Sequence, residues 1–249
     1  MRAEFDTLAT WTADAALELG PDSYVAAGCR GSASPSALRW LLDQLDLGPD
    51  TAFLDVGAGV GGPAAFAAAE TGVRPVLTDP EAGACAAANR LFGHPTARAA
   101  GPMPFRTGAV DVIWSLGVVC TVDDQSGFLS ELRRVLTPSG RLGLLVFESV
   151  DVASSDELVG NHFPSRQSLD RLLADGGWVV VDSTPVSALG QAPSEWESTI
   201  AEVDRIIARD HADTPVWTMA AEQGQLMGEL IARGVVTGRL LVADRAQLG

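Results

Sequence analysis

The chain has 249 residues, 47% apolar and 20% charged, with a formal net charge of −15. That suffices for one large α/β domain with a substantial core, and is too acidic for a surface tracking a phosphate backbone or an anionic membrane. There is no lysine among the 17 basic residues, which closes any chemistry needing a Schiff-base, pyridoxal-phosphate or P-loop lysine.

Cys29, Cys85 and Cys120 form no Cys-x-x-Cys pair, so neither a zinc cage nor a disulfide framework is expected, no metal is called for, and a reduced, cytoplasmic setting fits. The first residues include Glu4, Asp6 and Asp14 rather than a basic leader, and no apolar run is long enough for a membrane span.

In chain order, Leu8, Trp11, Ala15 and Leu19 recur at helical spacing up to Gly20-Pro21. A second helix starts at Ser34, an N-cap followed by Pro35, with Leu38, Leu41, Leu42 and Leu45 on one face. Strands are predicted at 52–56, 75–78, 110–115, 142–147, 178–182 and 235–242. Helices are predicted at 63–71, 80–92, 125–136 and 166–174, and a turn at Thr137-Pro138-Ser139-Gly140. Repeated β–α units of this length argue a doubly wound, mostly parallel sheet.

Two amphipathic helices then interrupt the rhythm, one carrying Trp196, Ile200, Val203 and Ile207, the other Trp217, Ala220, Met227, Leu230 and Ile231. The predicted plan is a single domain. N-terminal helices occupy 1–48, a cofactor-binding core 51–186 and a helical lid 190–233, before a last strand at 234–243.

The strongest local signal is Asp55-Val-Gly57-Ala-Gly59-Val-Gly61-Gly62 between a strand and a helix. Glycines there let the backbone turn sharply and approach a ligand, and the helix N-terminus offers free N–H groups. The same residues satisfy G-x-G-x-x-G, so the glycines alone leave a dinucleotide cofactor, or a ligand-free tight turn, open.

The surroundings separate these readings. The span Phe53–Phe147 resembles the class I S-adenosylmethionine-dependent methyltransferases, especially the subgroup similar to ubiquinone/menaquinone-biosynthesis methyltransferases. Phe53-Leu-Asp-Val-Gly-Ala-Gly-Val-Gly-Gly resembles the family's first motif, and Asp79 matches its ribose-binding acid. Met103-Pro-Phe105 with Asp111–Asp124 resembles the block around the fourth strand, and Glu131–Gly140 its signature helix and turn.

The resemblance implies a Rossmann-like, seven-stranded α/β fold and S-adenosyl-L-methionine as cofactor, leaving S-adenosyl-L-homocysteine as product. Gly57, Gly59 and Gly61 would pass beneath the methionine part, Asp55 would lie near its amino group, and Arg30 would pair with its carboxylate. Asp79 would accept the ribose hydroxyls beside Pro80, unless it is simply an N-cap. Leu116, at the end of the fourth strand, is counted among the cofactor-binding residues. The family's adenine-facing acid is replaced here by Ala99, which leaves adenine to Pro102 and Met103. Asp111, Asp123 and Glu131 are read as structural.

The implied reaction is methyl transfer to a small-molecule acceptor, driven mainly by in-line alignment. A non-methylating cyclase or rearrangement enzyme on the same fold is the alternative. His162 and Glu148 are the catalytic candidates, and Cys120, Trp196 and Trp217 the candidate substrate contacts. No nucleic-acid or membrane partner is expected, and a homodimer is left open.

Overall fold

The computed structural model describes residues 2–99, 101–150 and 160–246. Three helices open the chain: α1 (Arg2–Leu19), α2 (Tyr24–Gly28) and α3 (Pro35–Leu45). Ser34 caps α3 by accepting from the Ala37 N–H, as the Ser-Pro pair predicts. The alternation that follows is β1 (Phe53–Val56), α4 (Gly62–Thr71), β2 (Val76–Asp79), α5 (Ala82–Phe92), β3 (Thr96–Arg98), β4 (Val110–Leu116) and α6 (Gln125–Val135). It closes with β5 (Leu136–Ser149), α7 (Arg166–Asp175), β6 (Trp178–Pro185), α8 (Ser194–His211), α9 (Pro215–Ala232) and β7 (Val236–Arg245).

One seven-stranded sheet runs β3-β2-β1-β4-β5-β7-β6, parallel from β3 to β5, with β7 antiparallel to both neighbours. The predicted α/β architecture is therefore the observed one. Three local features depart from expectation. The five-residue α2 and three-residue β3 are too short to show a period. The segment Thr137–Gly140 is not a free turn: it lies within β5, as the irregularity between the Val110↔Leu136 and Val112↔Arg141 pairings.

Alternate residues of the strands feed opposite layers. On one face Leu54, Ile113, Leu142, Leu144 and Val146 pack with Leu129 and Leu132 of α6 and Leu169 and Leu173 of α7. On the other, Phe53, Trp114, Leu145 and Leu240 pack with Leu38 and Leu41 of α3 and Phe66 of α4. Both sides of the sheet are thus covered, as a parallel sheet requires.

A third, alanine-rich cluster joins Ala9, Ala13 and Ala16 of α1 to Ala84 and Ala87 of α5 and to Val203, Ile206 and Ile207 of α8. The predicted lid therefore divides. Its first helix docks on the N-terminal helices. The second, α9, has only Leu230 fully buried, in a cluster with Cys120, Phe163 and Val236.

The N-terminal helices are seated by a contact between two glycines. A Cβ built on Gly62, at the start of α4, would lie 2.2 Å from the Gly28 carbonyl carbon, and one on Gly28 would lie 2.7 Å from the Gly62 Cα. Backbone meets backbone here, so α2 reaches the loop after β1 only while both residues lack side chains. Gly62→Ala should accordingly lower stability by about 1–3 kcal/mol, the usual cost of overpacking. Gly224→Ala, at a helical position of α9 with open space around it, should raise stability by about 0.5–1 kcal/mol. Thermal denaturation of the two variants measures both signs.

Candidate functional site

The strand order reverses between β1 and β4, and in open α/β sheets the crevice outside the carboxyl ends of the strands at such a point is where ligands bind. Asp55 and Asp79 stand there, at the ends of neighbouring β1 and β2, 2% and 7% exposed. Each meets the low dielectric differently.

Asp79 Oδ2 accepts the Gly59 N–H at 2.8 Å, and Oδ1 accepts the Glu81 N–H at 2.9 Å. Burial pushes its carboxyl up while the Glu81 and Gly59 donors oppose. Bonding to Glu81 is an Asx-type turn ahead of α5, whose N-cap is Glu81 itself. Both carboxylate oxygens keep a further lone pair. Asp55 is less well compensated, because its Oδ2 has no hydrogen-bond partner. Burial pushes it up to about 7; the Trp114 indole opposes the rise without closing a well-formed bond, and the Asp79 charge adds to it.

The glycines divide the work. A Cβ on Gly57 would lie 2.3 Å from Val118 Cγ2 and one on Gly61 3.1 Å from Ala88 Cβ, so both serve close packing. Gly59 differs: it sits at φ +54° and nothing lies within 4 Å of its Cβ position. The loop thus presents its open flank at Gly59. The first turn of α4 begins without a side-chain cap, leaving backbone donors for a ligand.

Around this centre, Pro80 is half-buried and Pro102 exposed. Met103 is buried, its N–H donated to Glu131 Oε1 at 2.7 Å and its carbonyl accepting from Arg134. Ala99 donates its N–H to the Asp79 carbonyl at 2.9 Å, which holds it beside the end of β2. Leu116 is buried in the layer that holds Trp114. Arg30 is ion-paired with Asp204 of α8, an arrangement its sequence position gave no hint of.

The catalytic candidates fare unequally. Glu148 is not free to act on a substrate. Its side chain pairs with Arg239 of β7 at 2.7 Å, and the same guanidinium reaches the half-exposed Asp170 of α7 at 2.7 Å, so Glu148 belongs to a buried ion pair that opens to the surface at α7. Burial pushes its carboxyl up and the Arg239 charge opposes. The expectation of a substrate-facing acid is corrected on that ground: a buried charge with a bound partner is costly to detach.

His162 is half-exposed and firmly placed. Its N–H donates to the Cys120 carbonyl at 2.6 Å, and its carbonyl accepts from Gln125 Nε2, which also bonds the Val119 carbonyl. Its Nε2 lies 2.9 Å from Asp123 Oδ1. Asp123, read as structural, therefore belongs with His162. The pair is separated by 39 residues and joins two loops, so no local pattern announces it. Asp111 and Glu131 do serve structure, accepting the Ala52 and Met103 N–H groups.

Cys120 is 2% exposed, and burial pushes its thiol to about 11, so it stays a neutral wall residue rather than a thiolate. Trp196 meets Phe66 of α4 edge to face at 6.4 Å, and Trp217 packs against the cluster of the N-terminal helices. Both indoles tie the lid helices to the body, instead of forming the apolar cluster around Cys120.

Residues 54–144 match the family profile described as a methyltransferase domain. No curated protein matches the chain. Among solved structures, the [4+2]-cyclase SpnF superposes with a TM-score of 0.68 at 20% identity, over 85% of this chain and 80% of that one. Geranyl diphosphate C-methyltransferase from Streptomyces coelicolor A3(2), crystallised with Mg2+, geranyl diphosphate and S-adenosyl-L-homocysteine, gives 0.62 at 20% identity, over 84% and 78%. Phosphoethanolamine N-methyltransferase 2 of Haemonchus contortus, in complex with S-adenosyl-L-methionine, gives 0.64 at 15% identity, over 84% of this chain and 52% of that one. At these identities the likeness is one of fold, the Rossmann-like methyltransferase fold.

The acid in β1 yields a test of the site's electrostatics. The folded state keeps Asp55 protonated up to about pH 7, whereas its ordinary value is 3.8. Between those limits the folded state binds the extra proton, so this group's contribution is present at low pH and is lost as pH rises towards 7. Asp55→Asn should therefore gain stability relative to the parent as pH rises across that window. Urea unfolding at about pH 5 and about pH 8 reads the difference, and an equal gap at both would refute it.

Proposed function

We propose that the chain is an S-adenosylmethionine-dependent methyltransferase acting on a small-molecule acceptor. The observation that carries this reading is the orphaned, buried Asp55 Oδ2 beside the open flank of Gly59, inside the segment that matches the methyltransferase domain. A buried acid with one oxygen unpartnered favours a ligand that brings positive charge and hydrogen-bond donors, as an α-ammonium does. The fit extends to Asp79, whose remaining lone pairs suit a vicinal pair of ribose hydroxyls. The ordered motif blocks similar to ubiquinone/menaquinone-biosynthesis methyltransferases support a small-molecule acceptor.

When bound, S-adenosylmethionine supplies a methyl group already activated on a sulfonium centre. The chain's own residues bind and align. Asp55 takes the ammonium, Gly57, Gly59 and Gly61 shape the loop beneath the methionine part, and Asp79 with Pro80 takes the ribose. Pro102 and Met103 flank adenine, whose amine is left to backbone carbonyls because Ala99 carries no acid. Leu116 closes the site from β4. Arg30 takes the ligand carboxylate when it is released by Asp204. Alignment of this kind supplies about 7–11 kcal/mol through effective molarity.

A second reading, a non-methylating cyclisation on the same fold, takes its motive from Ala99 and from the likeness of fold to SpnF. Methyl accounting separates the two, since only methyl transfer releases S-adenosyl-L-homocysteine in step with product.

Both sulfur ligands should raise the melting temperature, and NAD should not. At about 100 times the dissociation constant, the ligand adds about 2.7 kcal/mol. Gly59→Val should keep a cooperative melt while losing the ligand-induced shift, because a β-branched residue at positive φ fills the open flank. A shift with NAD alone would overturn the reading.

A further inference from the structure

The first turn of α1 lies outside the segment that matches the methyltransferase domain, yet helix packing carries it to the cofactor end of the sheet. Helix α1 runs parallel to α5. Asp6 Oδ1 accepts the N–H of Gly83 in the first turn of α5, and Asp14 pairs with Arg90 in its last turn at 2.7 Å. The approach is close because residue 83 is glycine: a Cβ there would stand 2.3 Å from the Asp6 carbonyl oxygen. Ala9, Ala13 and Ala16 form the stripe of α1 that meets α5, and Phe5, four residues before Ala9, continues it.

Asp6 already stands level with Gly83, and a helical side chain covers the turn N-terminal to its own Cα. The Phe5 ring is thereby carried past Ala82, the first residue of α5, to the side of Asp79, Pro80 and Glu81. The electrostatics agree. Burial dominates the upward push on the Asp79 carboxyl, and the charges of Glu81 and Asp6 add to it, so the first turn of α1 stands near that acid. At 51% exposure, Phe5 is the only exposed aromatic ring among the described residues. A large apolar ring left in water at the edge of a crevice gains by being covered. With Ala99 in place of an acid, a purine base is left to be held by its faces, and such a face stacks on an aromatic ring whatever its edge carries.

We propose that Phe5 is a cofactor-binding residue whose ring stacks on the purine base, and that Asp6, through its bond to Gly83, is the positioning residue that holds the first turn of α1 there. This rests on the methyltransferase reading above, and it commits the exposed ring to one occupant, the adenine of S-adenosylmethionine or S-adenosyl-L-homocysteine.

Calorimetry tests the assignment with S-adenosyl-L-homocysteine and with 5′-methylthioadenosine, which keeps adenine and ribose but lacks the amino-acid part. Phe5→Ala should weaken both ligands by the same factor, about 10-fold. The melting temperature of the free protein should stay unchanged, because the ring is half in water. Phe5→Trp should keep both affinities. Asp6→Ala should weaken both ligands in the parent, yet by less than about twofold in the Phe5→Ala background, the non-additivity of residues that act as one unit. Full additivity of the two substitutions removes the role given to Asp6. Unchanged affinity of Phe5→Ala, or a melting temperature that falls along with affinity, overturns the inference, while binding of S-adenosyl-L-homocysteine by the parent leaves the cofactor reading intact. Failure of the parent to bind S-adenosyl-L-homocysteine removes that reading, and this inference with it.

Discussion

Two carboxylates buried side by side at the ends of β1 and β2 set the terms for everything around them. Desolvation opposes both charges, and the structure answers only one of them in full. The N–H groups given to Asp79 come from Gly59 and Glu81. The acid thereby fixes the loop after β1 and the approach to α5 in one stroke. The loop so held delivers Gly62 to the point where Gly28 can lie against it, and the N-terminal helices gain their seat. Removing the acid would loosen the loop before it touched any ligand. The uncompensated oxygen of Asp55 is the complementary half of the design, a local destabilisation that a cationic group can relieve.

The two sides of the crevice are built differently. The side at β1 and β2 uses glycine, aspartate and small residues whose positions are set by backbone bonds. The apolar wall beside it uses side chains of β5, the loop after β4, and α9, which packs loosely by comparison. Helix α8 belongs to neither. Its apolar face is spent on alanines of α1 and α5, where small side chains let helices approach closely. Tryptophans 196 and 217 strengthen that attachment, since burying an indole against a ring or a helix contributes more than any neighbouring alanine can.

How far the sequence is legible follows from how local each feature is. Ser34-Pro35 announces α3 because capping involves adjacent residues, and the glycine cluster announces the loop because only its own backbone is concerned. The α/β alternation is visible in continuous apolar runs such as Leu142–Val146, which are buried on both faces. The short α2 and β3 carry no period. The partnerships of Arg30 with Asp204, Glu148 with Arg239, and His162 with Asp123 join residues remote in sequence, each charged for reasons that only the folded neighbourhood supplies. Glu148 shows the cost of ignoring this: an acid at a strand end reads as catalytic until an arginine remote in sequence, on the neighbouring strand of the sheet, pairs with it.

The pairing of β6 with β7 bears on how such a protein can diversify. Pro185, at the end of β6, lies opposite Arg239 near the start of β7. The whole stretch from 186 to 235, with both lid helices, is thus topologically a hairpin loop whose two feet are neighbours in one ladder. Lengthening a closed loop costs little, about 0.6 kcal/mol per doubling. The strands that hold the two aspartates lie outside that stretch, so a change in its length leaves their ladder pairings intact, while the burial of α8 against α1 and α5 limits what can replace it.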